Sequence, residues 1–109
     1  MKPKPVIPRE LALRDVEEAT EHYLREGGVQ VALGFIDALE QAYAHVGRHP
    51  ATGSTGHAHE LNLPGLRSWP LTRHPYLVFY IEHATHIDVW RVLHGRRDIP
   101  ARMNEPAGM

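Results

Sequence analysis

The sequence predicts an α+β fold: a short N-terminal edge strand, an antiparallel two-helix hairpin, then a three-stranded antiparallel meander. Three observations carry this. Two long stretches of helical periodicity are separated only by Gly27-Gly28, three short β-rich runs fill the second half, and the length allows one core. A chain of 109 residues buries about two-thirds of its unfolded surface in one domain and is too short for two. The whole chain, 1–109, reads as a single domain with its core from about residue 6 to residue 100.

Val6 and Ile7 lie among Pro3, Pro5 and Pro8, and each proline removes a ladder donor, so only a short edge strand fits there. From Glu10 to Glu26 there is neither Gly nor Pro. Ala12, Val16, Ala19, Tyr23 and Leu24 recur at helical steps, and Asp15, Glu17, Glu18 and Glu21 are left to other faces, read as solvated. Gly27 and Gly28 end this helix, since glycine enters the left-handed C-cap region without a Cβ penalty. A second helix runs from Val29 to about Arg48, with Ala32, Phe35, Ile36, Leu39, Tyr43 and Val46 on one stripe and His49-Pro50 closing it. So short a connection predicts an antiparallel hairpin packed on one sheet face.

Pro50 to Gly65 is rich in Gly, Pro and Ser and reads as a loop, with room for a short irregular turn. The strands follow at Leu66–Thr72, Tyr76–His83 and His86–Leu93, the last two joined at Ala84-Thr85. Strict alternation in the third puts Ile87, Val89 and Arg91 on one side and Asp88, Trp90 and Val92 on the other, as befits a central strand. Beyond Asp98 the prolines and glycine argue against a regular element, and the tail 101–109 is expected to be disordered.

With 42% hydrophobic and 23% charged residues the composition is that of an ordinary globular domain. The absence of cysteine excludes disulfides, thiolate nucleophiles and Cys-based zinc sites. No apolar run approaches the ~20 residues of a membrane span and no signal segment follows the N-terminus, so a cytoplasmic location without membrane association is expected. The net charge of −1 conceals an asymmetry: nine acids face six bases through Glu60, while six arginines face four acids from Leu61 onward. An anionic surface would therefore meet the C-terminal part. Nine histidines include His57-Ala58-His59 and the pair His83 and His86, but neither pair has a third ligand in sight; no metal and no cofactor are expected. Trp69, Trp90, Tyr76, Phe79 and Tyr80 are read as packing residues.

Gly65-Leu66-Arg67-Ser68, Tyr76-Leu77-Val78-Phe79-Tyr80 and Val92-Leu93-His94-Gly95-Arg96-Arg97-Asp98 occur in order, preceded by Phe35-Ile36-Asp37-Ala38-Leu39, His49-Pro50 and Gly53. This ordered set resembles the RelE/ParE superfamily of toxins from type II toxin-antitoxin systems, over about Val6 to Pro100. The resemblance implies a toxin neutralised by a small cognate antitoxin, ParD-like or similar and encoded in an adjacent gene, with which it forms a hetero-oligomeric complex. Within the superfamily, RelE-like members cleave messenger RNA on the ribosome and ParE-like members act on DNA gyrase.

Metal-free RNA cleavage needs a base, cations for the phosphorane and an acid. Here His94 can serve as base or acid, Glu60 or Glu82 as base, and Arg67, Arg91, Arg96 and Arg97 as phosphate cations. RelE-like ribonucleases tend to carry lysines on the sheet face and a late tyrosine or histidine, whereas here no lysine follows Lys4 and no tyrosine follows Tyr80. The closing run is closer to ParE. The expectation is a gyrase inhibitor rather than an enzyme, with Arg91, His94, Arg96 and Arg97 meeting the target. The alternatives are a ribosome-dependent ribonuclease using Arg67, Arg91 and His94, and a non-toxic member that only binds antitoxin.

Overall fold

A computed structural model describes residues 2–96 and 99–104. Its elements are β1 (Val6–Pro8), α1 (Glu10–Arg48), a 3-10 turn at Pro50–Thr52, α2 (Gly56–Glu60), β2 (Leu66–Pro70), β3 (Tyr76–Glu82), β4 (Ile87–His94) and α3 (Ile99–Met103). The four strands form one sheet in the order β1-β4-β3-β2. The meander is antiparallel throughout, and β1 adds parallel to β4 with Val6 opposite Ile87. β1 is therefore the predicted edge strand, and β4 is central.

α1 is two helical arms. Gly28 alone has non-helical torsions, at φ 83° and ψ −174°, a region that side chains with a Cβ avoid. Twelve residues along a straight helix cover about 18 Å, yet the rings of Tyr23 and Phe35 lie 5.2 Å apart. The second arm returns to the chain's start, where the Lys4 N–H donates to the Gly47 carbonyl at 2.9 Å. The two glycines thus produce the expected hairpin.

Its inner face is built from small residues. Ala12, Ala19, Ala38 and Ala42 let the arms approach the sheet closely, while Phe35, Leu39 and Val46 interlock with Val78, Tyr80, Ile87, Val89 and Val92. Phe35, Val46, Val78 and Tyr80 are completely buried, and burial of such a side chain contributes about 1.5–3 kcal/mol. The opposite sheet face carries a second core of Leu66, Phe79, Leu93, Ile99 and Met103, flanked by Ala58, Leu61 and Leu63. The sheet is covered on both sides.

Three expectations are corrected. Alternation in β4 does not hold through Arg91, because Phe79 pairs with Arg91 while the next residue, Tyr80, pairs with Val89. Trp90 is the extra residue of a β-bulge, and Val92 consequently joins Ile87 and Val89 in the helix-facing core. The Pro50–Gly65 segment holds the 3-10 turn and the five-residue α2. Residues expected to lack structure after Asp98 form α3, whose first turn tolerates Pro100 because an N–H there has no helical partner. Ile99 and Met103, one turn apart, are buried and hold it to the sheet. Among the described residues no helix is long and apolar enough to cross a membrane.

Candidate binding groove at the end of the central strand

β1 pairs with β4 only as far as Val89, so the remainder of β4 must satisfy its backbone otherwise. Asp15 does this from α1, its Oδ2 accepting the Val92 N–H at 3.0 Å. The same carboxylate clamps Arg91 in two parallel bonds, Nε to Oδ2 and Nη2 to Oδ1, both at 2.7 Å. Arg91 also donates through Nη1 to the carbonyl of Arg102 in α3. Asp15 is 6% and Arg91 3% exposed. A desolvated pair with every strong bond made is costly to assemble and costlier to break. It ties α1, β4 and α3 to one another. Near it, burial and, secondarily, the Asp15 charge push the Tyr43 hydroxyl up to about 12.

Arg91, expected at a target-facing surface, thus lies inside the molecule with its guanidinium engaged. Asp15, assigned by periodicity to a solvated face, belongs to the buried stripe. The signal was present: Ala12, Asp15 and Ala19 stand at helical steps of three and four, and an acid among two buried alanines calls for a basic partner.

Above this pair opens a groove of about 580 Å³, lined by Glu18, Ala19, Glu21, His22 and Arg25 of α1, by Tyr76, Val92, Leu93 and His94 of the sheet, and by Arg96 and Arg102. The α1 side chains reach it because they recur with the helical repeat. His94 ends β4 opposite Tyr76, with the two rings edge to face at 5.4 Å. Its Nδ1 accepts the Arg96 N–H at 3.1 Å, which places the ring proton of the neutral imidazole on Nε2. Arg96 is exposed. Arg102 approaches Glu18 at 3.9 Å with the glutamate 71% exposed, a contact of little energetic weight. Of the four residues expected to meet a target, His94 and Arg96 share the groove wall, Arg91 lies beneath it, and Arg97 is outside the described residues.

Arg67 is elsewhere. It pairs with Tyr80 in the β2–β3 ladder, whereas His94 pairs with Tyr76; the two lie on opposite sides of β3 and about 13 Å apart along it. Its guanidinium donates to the Gly53 carbonyl at 2.8 Å. The Tyr80 hydroxyl completes that corner by donating to the Pro50 carbonyl at 2.7 Å and accepting the Gly53 N–H at 3.1 Å. Arg67, Arg91 and His94 are therefore not convergent. Glu82 pairs with Lys4 at 2.6 Å at the far end of β3, and Glu60 is exposed at the end of α2.

The remaining polar clusters have local explanations. Burial raises the pKa of Asp88, but hydrogen bonds from Arg9, His83 and Trp90 outweigh it and hold the carboxyl below its ordinary value. Arg9 bridges it in two bonds of 2.9 Å and lies 4.0 Å over the Trp90 ring. His83 and His86 stack at 4.8 Å across the β3–β4 turn, and His57 sets its ring edge on Phe79. Trp69 stacks on His45 at 3.8 Å.

With this geometry in view, the comparisons with known proteins agree. The sequence matches, over residues 6–99, the family described as ParE toxin of type II toxin-antitoxin system, parDE. The fold is similar to a solved structure described as the chromosomal ParDE TA system from P. aeruginosa, with a TM-score of 0.70 and 17% identity, covering 84% of this chain and 95% of that one. No curated protein matches the chain.

Proposed function

The chain belongs to the ParE toxin family of type II toxin-antitoxin systems, and from that premise we propose that it is a toxin that inhibits DNA gyrase by binding and is neutralised by a cognate antitoxin encoded beside it. The observation that carries the reading is the disposition of its basic side chains. His94 and Arg96 are presented together at the end of the central strand, on the wall of an open groove, where a protein surface can reach them. A ribonuclease needs its base and phosphate cations around one reacting atom. Arg91 is locked to Asp15, Arg67 is occupied with Gly53, and the Nδ1 lone pair of His94 is taken by a backbone N–H. This arrangement supports binding over cleavage.

Expression of the chain alone should arrest growth with filamentation and DNA damage, and co-expression of the neighbouring small reading frame should restore growth and yield a copurifying complex. Immediate translation arrest would instead favour the ribonuclease, and growth without arrest the non-toxic antitoxin binder. Failure of every adjacent frame to bind would remove the antitoxin half of the proposal.

A further inference from the structure

We propose that Arg73, in the turn between β2 and β3, is a contact of this chain with its protein target, where it takes a carboxylate of that target beside Arg96. The inference rests on the reading that the chain acts by binding a protein; it adds a residue and its chemistry to that contact. Among the described residues, two that are not glycine have positive φ, Asn62 at 54° and Arg73 at 64°. Asparagine enters the left-handed region readily because its short amide can bond the nearby backbone, a compensation arginine lacks. Nothing in the fold offsets the strain at Arg73. It is exposed, and among the described residues no hydrogen bond or ion pair holds its guanidinium. A strained residue that makes no contact within its own molecule points to a contact outside it.

The turn is held firmly. The Leu71 N–H donates to the Tyr76 carbonyl at 3.0 Å, and the Tyr76 N–H to the His74 carbonyl at 2.8 Å. The His74 ring meets Tyr23 of the first α1 arm edge to face at 5.3 Å and Phe35 of the second at 5.8 Å, so both arms brace it. The Gly95 N–H donates to the Pro75 carbonyl at 2.8 Å, which joins the turn to the end of β4. Along that path the Cα atoms of Arg73 and Arg96, distant in sequence, lie within about 17 Å of each other, and one side of an ordinary protein interface, about 800 Å², spans both. Neither stretch, 71–75 or 94–96, contains an acid. A guanidinium fork matches a carboxylate in two parallel bonds. Nucleic acid fits less well. Between residues 17 and 37, α1 exposes Glu17, Glu18, Glu21, Glu26 and Asp37 against Arg25, and a duplex with a charge every ~1.7 Å would be repelled there, whereas the carboxylates of a protein can be confined to the two turns.

Arg73→Gly separates a contact from a structural role, because glycine takes positive φ freely and the exposed charge is lost with the strain. Its thermal midpoint should stay level or rise, and it should still copurify with the product of the adjacent small reading frame. The concentration needed to block gyrase supercoiling should nevertheless rise about fivefold or more. Arg73→Asn, which also suits the conformation, should behave alike, and added salt should weaken the wild type more than either variant. Inhibition equal to wild type in both variants, or loss of inhibition only together with a fallen midpoint in both, would overturn the proposal. So would a labelled DNA duplex bound by the chain alone and released by Arg73→Gly, since the cation would then serve nucleic acid. If the wild type arrests growth but leaves supercoiling untouched, gyrase falls as the target while growth itself reads Arg73: relief of arrest by Arg73→Gly at equal expression keeps the contact, and continued arrest removes it. A wild type that arrests nothing removes both.

Discussion

An aspartate and an arginine sealed from water, as Asp15 and Arg91 are, are stable only together, because either one alone is an uncompensated buried charge. Asp15→Ala should therefore cost about 3–5 kcal/mol and release α3 as well as α1, measured as a fall in the urea midpoint. A change within a few tenths of a kcal/mol would show that the pair holds nothing. Asp88 supplies a pH-dependent counterpart. Its folded carboxyl titrates below its unfolded value, so the stability it contributes is complete above the ordinary carboxylate range and is lost as pH falls through the lowered value. Asp88→Asn should flatten the acid limb of the stability–pH curve. An unchanged acid limb in the variant would contradict this. The exposed Arg96 beside the half-buried His94 was legible in the sequence because a cluster of arginines stands out in a weakly acidic chain. Arg91 was misplaced within that cluster because nothing local distinguishes a buried arginine from an exposed one; its partner lies 76 residues away.

The helical hairpin was legible because two glycines interrupt an otherwise unbroken helical pattern, and the same feature can be tested. Among the described residues, nothing beyond the adjoining chain lies within 4 Å of a Cβ built on Gly28, yet its φ is +83°, so Gly28→Ala meets backbone strain alone and should cost about 1–3 kcal/mol. Gly34 also has open space around it but sits within a regular helix, where alanine is favoured by about 0.5–1 kcal/mol. Thermal unfolding should therefore move in opposite directions for Gly28→Ala and Gly34→Ala, and a shift of the same sign in both would refute the kink as the seat of the turn. The bulge at Trp90 and helix α3 were not legible. A bulge leaves the residue types of a strand unchanged, and five residues of helix anchored by Ile99 and Met103 depend on a sheet face that exists only after folding.

Across the whole molecule, element order and layer logic were enough for the α+β class, but not for the parallel pairing of β1 with β4, which brings Val6 opposite Ile87 across most of the chain and has no local signal. Nor was the groove visible as a unit, since α1, the end of β4 and α3 contribute to it from three distant stretches and only folding sets them around one cleft. The proposed inhibition requires that surface to bind a protein target. The most direct test is a gyrase supercoiling assay with the purified chain, run beside Arg96→Ala and beside ribosomes carrying a defined message. The wild type should block supercoiling in proportion to its concentration and leave the message intact, and Arg96→Ala, whose stability should change by no more than about 0.5 kcal/mol, should block it less. Untouched supercoiling together with cleavage of the message at codon boundaries would contradict gyrase inhibition and make the protein a ribonuclease.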